Sequence, residues 1–256
     1  MLKIDEYAYS SRLKHIHPAE KAVLSAGCLL FSVITQNMWI ALCVSFLMCL
    51  LTVWAAGIPL TYYVKLLLLP AMFLATGTLP IFLSIIPADA KSAGIWHANI
   101  GSWKLYIDES GLEQACHLAA GAAASVLCLY FLILTTPVQQ IMWLLQKLKL
   151  PGIVLDLTGF TYRFIFVLLE KSREIHLAQT SRLGYQNRRT WLASMAKLAA
   201  GLFIKSIMTA RELETAIESR GGSEGLYRMD IRQETRAGNW IAILIIQSML
   251  LILTLM

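Results

Sequence analysis

Four apolar stretches, 38–57, 64–86, 112–137 and 239–256, each approach or exceed the ~20 residues that a helix needs to cross a bilayer. Residues 19–36 make a shorter fifth, opened by His17-Pro18, with proline suited to a first helical turn. Inside hydrocarbon each backbone polar group must find its partner within the protein, so such runs read as helices. They raise the apolar share to 57%, above the ~45–50% of an ordinary soluble domain. Residues 1–18 are polar and mixed in charge, which predicts a cytoplasmic tail and no cleaved signal. The fold class is therefore all-α: a polytopic membrane bundle of about five spans.

The placement of charge gives the topology. Lys3, Arg12, Lys14 and Lys21 precede the first span, and Lys65 follows the second. The loop 87–111 holds only Lys91 and Lys104, against Asp89, Asp108 and Glu109, whereas 138–238 carries the remaining fifteen Lys and Arg. Basic segments stay cytoplasmic. Five spans then put the N-terminus and 138–238 inside, and loop 87–111 and the C-terminus outside. The net charge of +6 is thus a topology signal, and no nucleic-acid partner is expected. Four regions follow: a tail, 1–18; a membrane domain of four spans, 19–137; a cytoplasmic module, 138–238; and a last span, 239–256.

Within the membrane domain the first two spans read as a tight hairpin turning at Gln36-Asn37. Pro70 and Pro80 are expected to kink the third span, where neighbouring helices re-satisfy the backbone. Trp96 and Trp103, in a loop with Gly94, Gly101 and Gly111, suit the outer interface. Gly121 and Ser125, four apart, allow close helix packing, against this chain or a mobile partner subunit. Cys28, Cys43, Cys49, Cys116 and Cys128 fall in or beside spans with no C-x-x-C pair, and read as packing residues.

The segment 153–169 is apolar enough for a sixth span. Asp156 and Arg163 would each cost ~2.5–3.5 kcal/mol at a helix centre. It is read as a helix along the inner membrane surface or beneath the bundle. Two amphipathic helices follow. In the second, Leu192, Met195, Ala199, Phe203, Ile207, Ala210, Leu213 and Ile217 recur at the helical period, with Lys197, Lys205, Arg211, Glu212, Glu214 and Glu218 on other faces. The first ends in Ser181-Arg182-Leu183-Gly184 and the second in Ser219-Arg220-Gly221-Gly222. Gly184 and Gly221 suit left-handed C-caps. One such arginine is a cation at a helix C-terminus, worth ~0.3–1 kcal/mol. Two, each closing a helix of one module, point to docking, because the planar guanidinium pairs bidentately with carboxylates.

No P-loop, H-E-x-x-H or serine-nucleophile elbow occurs, so no catalytic residue is assigned and ATP chemistry falls to other chains. His15, His17, His97 and His117 do not cluster, so no metal ligand or cofactor site is assigned. The spans are read as free of proton-relay carboxylates, which weighs against a self-sufficient ion-coupled permease.

Several short motifs, in order, carry a family resemblance. They are Ile4-Asp5, Ala8-Tyr9-Ser10-Ser11-Arg12-Leu13, His17-Pro18, Lys21, Leu134-Thr135-Thr136-Pro137, Leu150-Pro151, Tyr162-Arg163-Phe164, Arg182-Leu183-Gly184-Tyr185 and Ala216-Ile217-Glu218-Ser219-Arg220-Gly221. Together they resemble, over the whole chain, the transmembrane T component of energy-coupling-factor (ECF) transporters of the cobalt type, CbiQ. The resemblance implies a multi-pass subunit of a prokaryotic cell membrane that scaffolds a metal importer and is not itself an enzyme. It implies two ATP-binding cassette ATPase subunits as partners, each docking one Ala-Arg-Gly-like motif on a coupling helix. A metal-capture S component and a small accessory membrane subunit complete the implied assembly, with ATP held by the partners.

Ser181, Arg182, Leu183, Gly184, Ser219, Arg220 and Gly221 fall on those motif positions. Serine replaces alanine in both, Leu183 separates Arg182 from Gly184 as in the cobalt branch, and Gly222 is an added glycine. A T component for nickel or a vitamin, a stand-alone secondary permease and a structural adaptor stay open as alternatives.

Overall fold

In a computed structural model, residues 3–35, 37–82, 84–87, 96–100, 103–107, 109–221, 235 and 237–255 are described. They form two compact units, one from 2–140 with 232–256 and the other from 141–231.

The first unit begins with α1 (Lys3–Ser10) and a 3-10 turn, Arg12–His15. The apolar stretches become α2 (Pro18–Thr35), α3 (Met38–Leu50, extended by a π turn over Leu51–Ala55), α4 (Leu60–Phe82), α5 (Glu109–Thr135) and α9 (Ala237–Leu255). All five are long and apolar enough to cross a membrane. Asn37 starts α3 by accepting the Trp39 N–H on its side-chain oxygen at 3.2 Å, satisfying one of the helix's unmet N–H donors. Gln36 lies outside the described residues. Pro70 and Pro80 both sit inside α4.

The third stretch runs short of its expected end. At 84–87 the chain is a strand, β1 (Ser84–Pro87), in an antiparallel sheet with β2 (Trp96–Ile100) and β3 (Trp103–Ile107) in the order β1-β3-β2. The β-branched pair Ile85 and Ile86 lies opposite Leu105 and Lys104, where extended backbone is favoured. Both loop tryptophans belong to this sheet, whereas Gly94 and Gly101 lie outside the described residues.

α5 is the centre of this unit and packs on α2, α3 and α4. Cys28, Ile40, Val44, Met48, Ala124 and Cys128 are wholly buried around it. The α2–α5 seam is built from small residues. Ser25 Oγ donates to the Cys128 carbonyl at 2.7 Å, and a Cβ on Gly121 would lie 4.0 Å from the Ser32 carbonyl. Ser125 donates to the Gly121 carbonyl at 2.9 Å. Gly121 thus lies against α2 within the chain, half-buried. Of the cysteines, Cys28 and Cys128 are core residues, while Cys43 and Cys116 are exposed.

One end of the unit is polar inside, which corrects the expectation of spans free of carboxylates. Glu20 and Lys21, in the first turn of α2, are only 2% and 3% exposed. Glu20 survives burial because Asn239, at the start of α9, donates to its Oε2 at 2.7 Å. Lys21 is thus a buried residue of the bundle and not a solvated charge ahead of it. Glu20→Leu leaves the Asn239 amide without that acceptor and should cost about 1–3 kcal/mol, whereas Glu20→Gln keeps an acceptor and should cost less. Thermal unfolding of the detergent-solubilised protein measures both.

The second unit contains α7 (Gly152–Ser181) and α8 (Arg188–Glu218), after α6 (Val138–Lys147) has carried the chain out of the first. The segment 153–169 is not a separate helix. It is the first half of α7, which continues unbroken to the arginine end. Nothing between 153 and 181 interrupts it, since Gly159 is its only glycine past the first residue and it holds no proline. At ~1.5 Å per residue, α7 and α8 are each about 45 Å long. By length and composition alone these two also suffice to span a membrane, making seven such helices among the described residues.

Candidate functional site

α7 and α8 pack as a hairpin, with a Cβ on Gly201 placed 3.8 Å from Ile175 Cδ1. The turn between them is fastened by side chains. Gln179 Nε2 donates to the Ser194 carbonyl at 3.0 Å, Ser194 Oγ donates to the Gly184 carbonyl at 2.8 Å, and Tyr185 OH donates to Gln179 Oε1 at 2.6 Å. The Tyr185 ring lies 4.6 Å from that of His176, centre to centre. Asn187 and Thr190 then start α8 with a capping box.

This fastening decides the shape of the first arginine end. The Gly184 N–H bonds the Gln179 carbonyl at 2.9 Å and the Leu183 N–H bonds that of Thr180 at 2.9 Å, the paired bonds of a Schellman motif. The left-handed residue is Leu183, with φ 60°, and not the expected Gly184. Glycine is required at 184 for another reason. A Cβ there would meet Ser194 Oγ at 2.6 Å and the Gln179 carbonyl oxygen at 3.0 Å.

At the second end the left-handed residue is Gly221, with φ 96°, as the sequence predicts. Gly222 lies outside the described residues. The two ends now align more closely than their letters do. In each, a serine bonds the carbonyl four residues back, Ser181 to Leu177 at 3.1 Å and Ser219 to Thr215 at 2.7 Å. In each, an arginine follows, and the next residue turns left-handed. Leu183 is thus the counterpart of Gly221, and the apparent insertion between Arg182 and Gly184 disappears.

Ser181, Arg182, Leu183, Ser219, Arg220 and Gly221 are all exposed, and Gly184 is partly so. Among the described residues neither arginine makes an ion pair. Each stands at a helix C-terminus, where the backbone's partial negative charge favours a cation. Such an end can offer a guanidinium fork to a carboxylate at little cost in reorganisation. Leu183 is 62% exposed although leucine is strained at positive φ by about 1–2 kcal/mol. Leu183→Asn, which tolerates that backbone, should leave thermal stability unchanged or slightly raised. If the leucine is there to touch a partner, the same variant weakens that partner's binding, which titration against the partner measures.

Sequence periodicity missed Gln179, Ser194 and the polar end of the first unit. Gln179 and Ser194 meet only across the turn, so neither helix's own pattern reveals them. No group of three His, Cys, Asp or Glu able to hold a metal occurs among the described residues.

The family model described as cobalt transport protein, CbiQ, matches residues 10–231. The chain is 30% identical over 217 residues to the cobalt transport protein CbiQ of Rhodobacter capsulatus, covering 85% of this chain and 83% of that one. Against CbiQ of Salmonella typhimurium it is 25% identical, over 85% and 96% of the two chains. Against the energy-coupling factor transporter transmembrane protein EcfT of Lactobacillus helveticus it is 29% identical, over 76% and 78%.

Proposed function

Because the chain belongs to the CbiQ cobalt transport protein family, we propose that its two arginine-tipped helix ends receive the motion of ATP-hydrolysing partners. The protein is the transmembrane component of an energy-coupling-factor cobalt importer. The observation that carries the coupling role is the repeated end itself: serine, exposed arginine, left-handed residue, closing both α7 and α8.

In this reading each end docks on one of two ATP-binding cassette subunits, its arginine paired with that subunit's carboxylates. When ATP binding closes the pair, the two ends move together. The hairpin is stiff enough to carry that motion, because α7 is unbroken and the Gln179–Ser194–Gly184 contacts tie its end to α8. The displaced helices reorient a metal-capture membrane subunit, assisted by a small accessory membrane subunit, and cobalt is released into the cytoplasm. The chain is a non-catalytic subunit, with ATP held by its partners.

Docking of this kind needs α7 and α8 on the cytoplasmic side. Two features support that placement. Residues 138–238 hold the basic excess, and α7 would otherwise bury Asp156 and Arg163 in lipid at ~2.5–3.5 kcal/mol each. A cysteine scan over 153–169 with a water-soluble maleimide should alternate between labelled and protected with a period near 3.6 residues. Uniform protection would mean that α7 crosses the bilayer.

The reading as a whole is tested by metal uptake into vesicles containing this chain, both ATPases and the capture subunit. Cobalt accumulation that requires ATP and all partners is expected, with nickel as the competing ion. Uptake by this chain alone would make it a permease instead.

A further inference from the structure

The sequence motifs His17-Pro18…Lys21 and Thr135-Thr136-Pro137 lie over a hundred residues apart, and the coupling role uses neither. In the fold Lys21 and Thr135 meet. Lys21 Nζ donates to the Thr135 carbonyl at 2.9 Å, deep in the first unit, and also reaches Gln140 Oε1 at 3.4 Å. Gln140 in turn donates through Nε2 to the Lys14 carbonyl at 3.2 Å.

The position of this contact matters. Thr135 is the last residue of α5, where the final carbonyls have no N–H partner within the helix. Pro137 removes a further N–H and drives Thr136 out of the helical region, so the chain breaks there and restarts as α6. A break of this kind is a natural hinge. Here a buried ammonium grips one side of it, Thr135, and the other side, Gln140, at once. Gln140 is also the last residue of the first unit; from 141 the chain belongs to the unit that bears both arginine ends.

We propose that Lys21 is a positioning residue for energy coupling, a clasp that ties the first turn of α6 to the end of α5 so that motion passed along α6 enters the membrane bundle instead of being absorbed at the break. This inference rests on the coupling role described above. It differs from a plain stabilising role in what it predicts. Loss of the clasp leaves ATPase docking and hydrolysis running but separates them from transport.

The experiment uses the full transporter in vesicles, with ATPase association, ATP hydrolysis and cobalt uptake measured on the same preparation. Lys21→Met keeps the side chain's length and removes its charge and donors. It should lower uptake per ATP hydrolysed by about tenfold, with association and hydrolysis changed less than about twofold, as expected when a coupling free energy is lost. Lys21→Arg, which can donate to both acceptors, should recover most of the ratio. Gln140→Leu removes only the far side of the clasp and should lower the ratio by about two- to fivefold.

An unchanged ratio in Lys21→Met overturns the proposal. Should that variant fail to accumulate in the membrane, Gln140→Leu decides, and a wild-type ratio there overturns it equally. The wild-type arm separates this from the broader reading: if uptake there needs no ATPase, the coupling role itself fails.

Discussion

Reversing both helix-end charges, Arg182→Glu with Arg220→Glu, should abolish stable association with the ATPase subunits and with it ATP-driven uptake. Truncating one member of a desolvated charge pair at an interface costs about 2–5 kcal/mol, and reversal adds repulsion against the partner's carboxylates. The two ends also belong to one unit. Docking of the first raises the effective concentration of the second, so losing both is worse than twice losing one. Each single variant should therefore keep a weakened complex, down by at least about thirtyfold, while the double variant keeps none that survives purification. Lysine at either position should not restore full affinity, because it retains the charge but loses the planar fork. Neither arginine is ion-paired among the described residues, so these changes should leave the fold of the chain intact. Co-purification of the ATPases, with membrane content of this chain as control, reads all five variants.

Gly184→Val is the second large effect, and it acts through the fold of the turn. The new Cβ would fall 2.6 Å from Ser194 Oγ and 3.0 Å from the Gln179 carbonyl oxygen. Either the Schellman bonds from 183 and 184 to Thr180 and Gln179 open, or Ser194 swings away and gives up its bond to the Gly184 carbonyl. Overpacking of this kind costs about 1–3 kcal/mol, and the lost hydrogen bond about 0.5–1.5 kcal/mol more. Hydrogen exchange should quicken across 176–194, and ATPase binding should fall although no docking residue has changed. Gly221→Ala is the instructive contrast. Among the described residues nothing lies within 4 Å of a Cβ there, so the cost expected from them is the backbone strain at φ 96°, about 1–2 kcal/mol. Ser194→Ala should relieve part of the defect in Gly184→Val and none in Gly221→Ala, since among the described residues only Gly184 of the two has a hydroxyl in its way.

Much of this architecture could be read before any coordinates. Spans are legible because lipid leaves one solution for an apolar run of twenty residues, and α2, α3, α5 and α9 begin and end within a few positions of their stretches. The end of α4 was not, because Ile85 and Ile86 extend the apolar run while pairing as a strand. The arginines were legible as a repeated pattern. Their geometry was misread at one point, since glycine is the ordinary left-handed residue and here Leu183 takes that role.

What escaped the sequence are residues whose meaning comes from distant partners. Lys21 looks like one more positive charge before a span until Thr135 and Gln140 are set beside it. Glu20 looks like a first-turn carboxylate until Asn239, over two hundred residues on, donates to it. Gln179 and Ser194 belong to different helices and meet only because the turn between them closes.

The most direct measurement places a photo-crosslinking amino acid at 183 and, in a second variant, at 219, in the transporter assembled in its membrane. Both residues flank an arginine and both are exposed. If the arginine ends are the coupling points, illumination joins each variant to an ATPase subunit, and Arg182→Glu with Arg220→Glu removes both adducts. Adducts only with lipid or with the other membrane subunits, at either position, would contradict the account and put these helix ends in or against the bilayer.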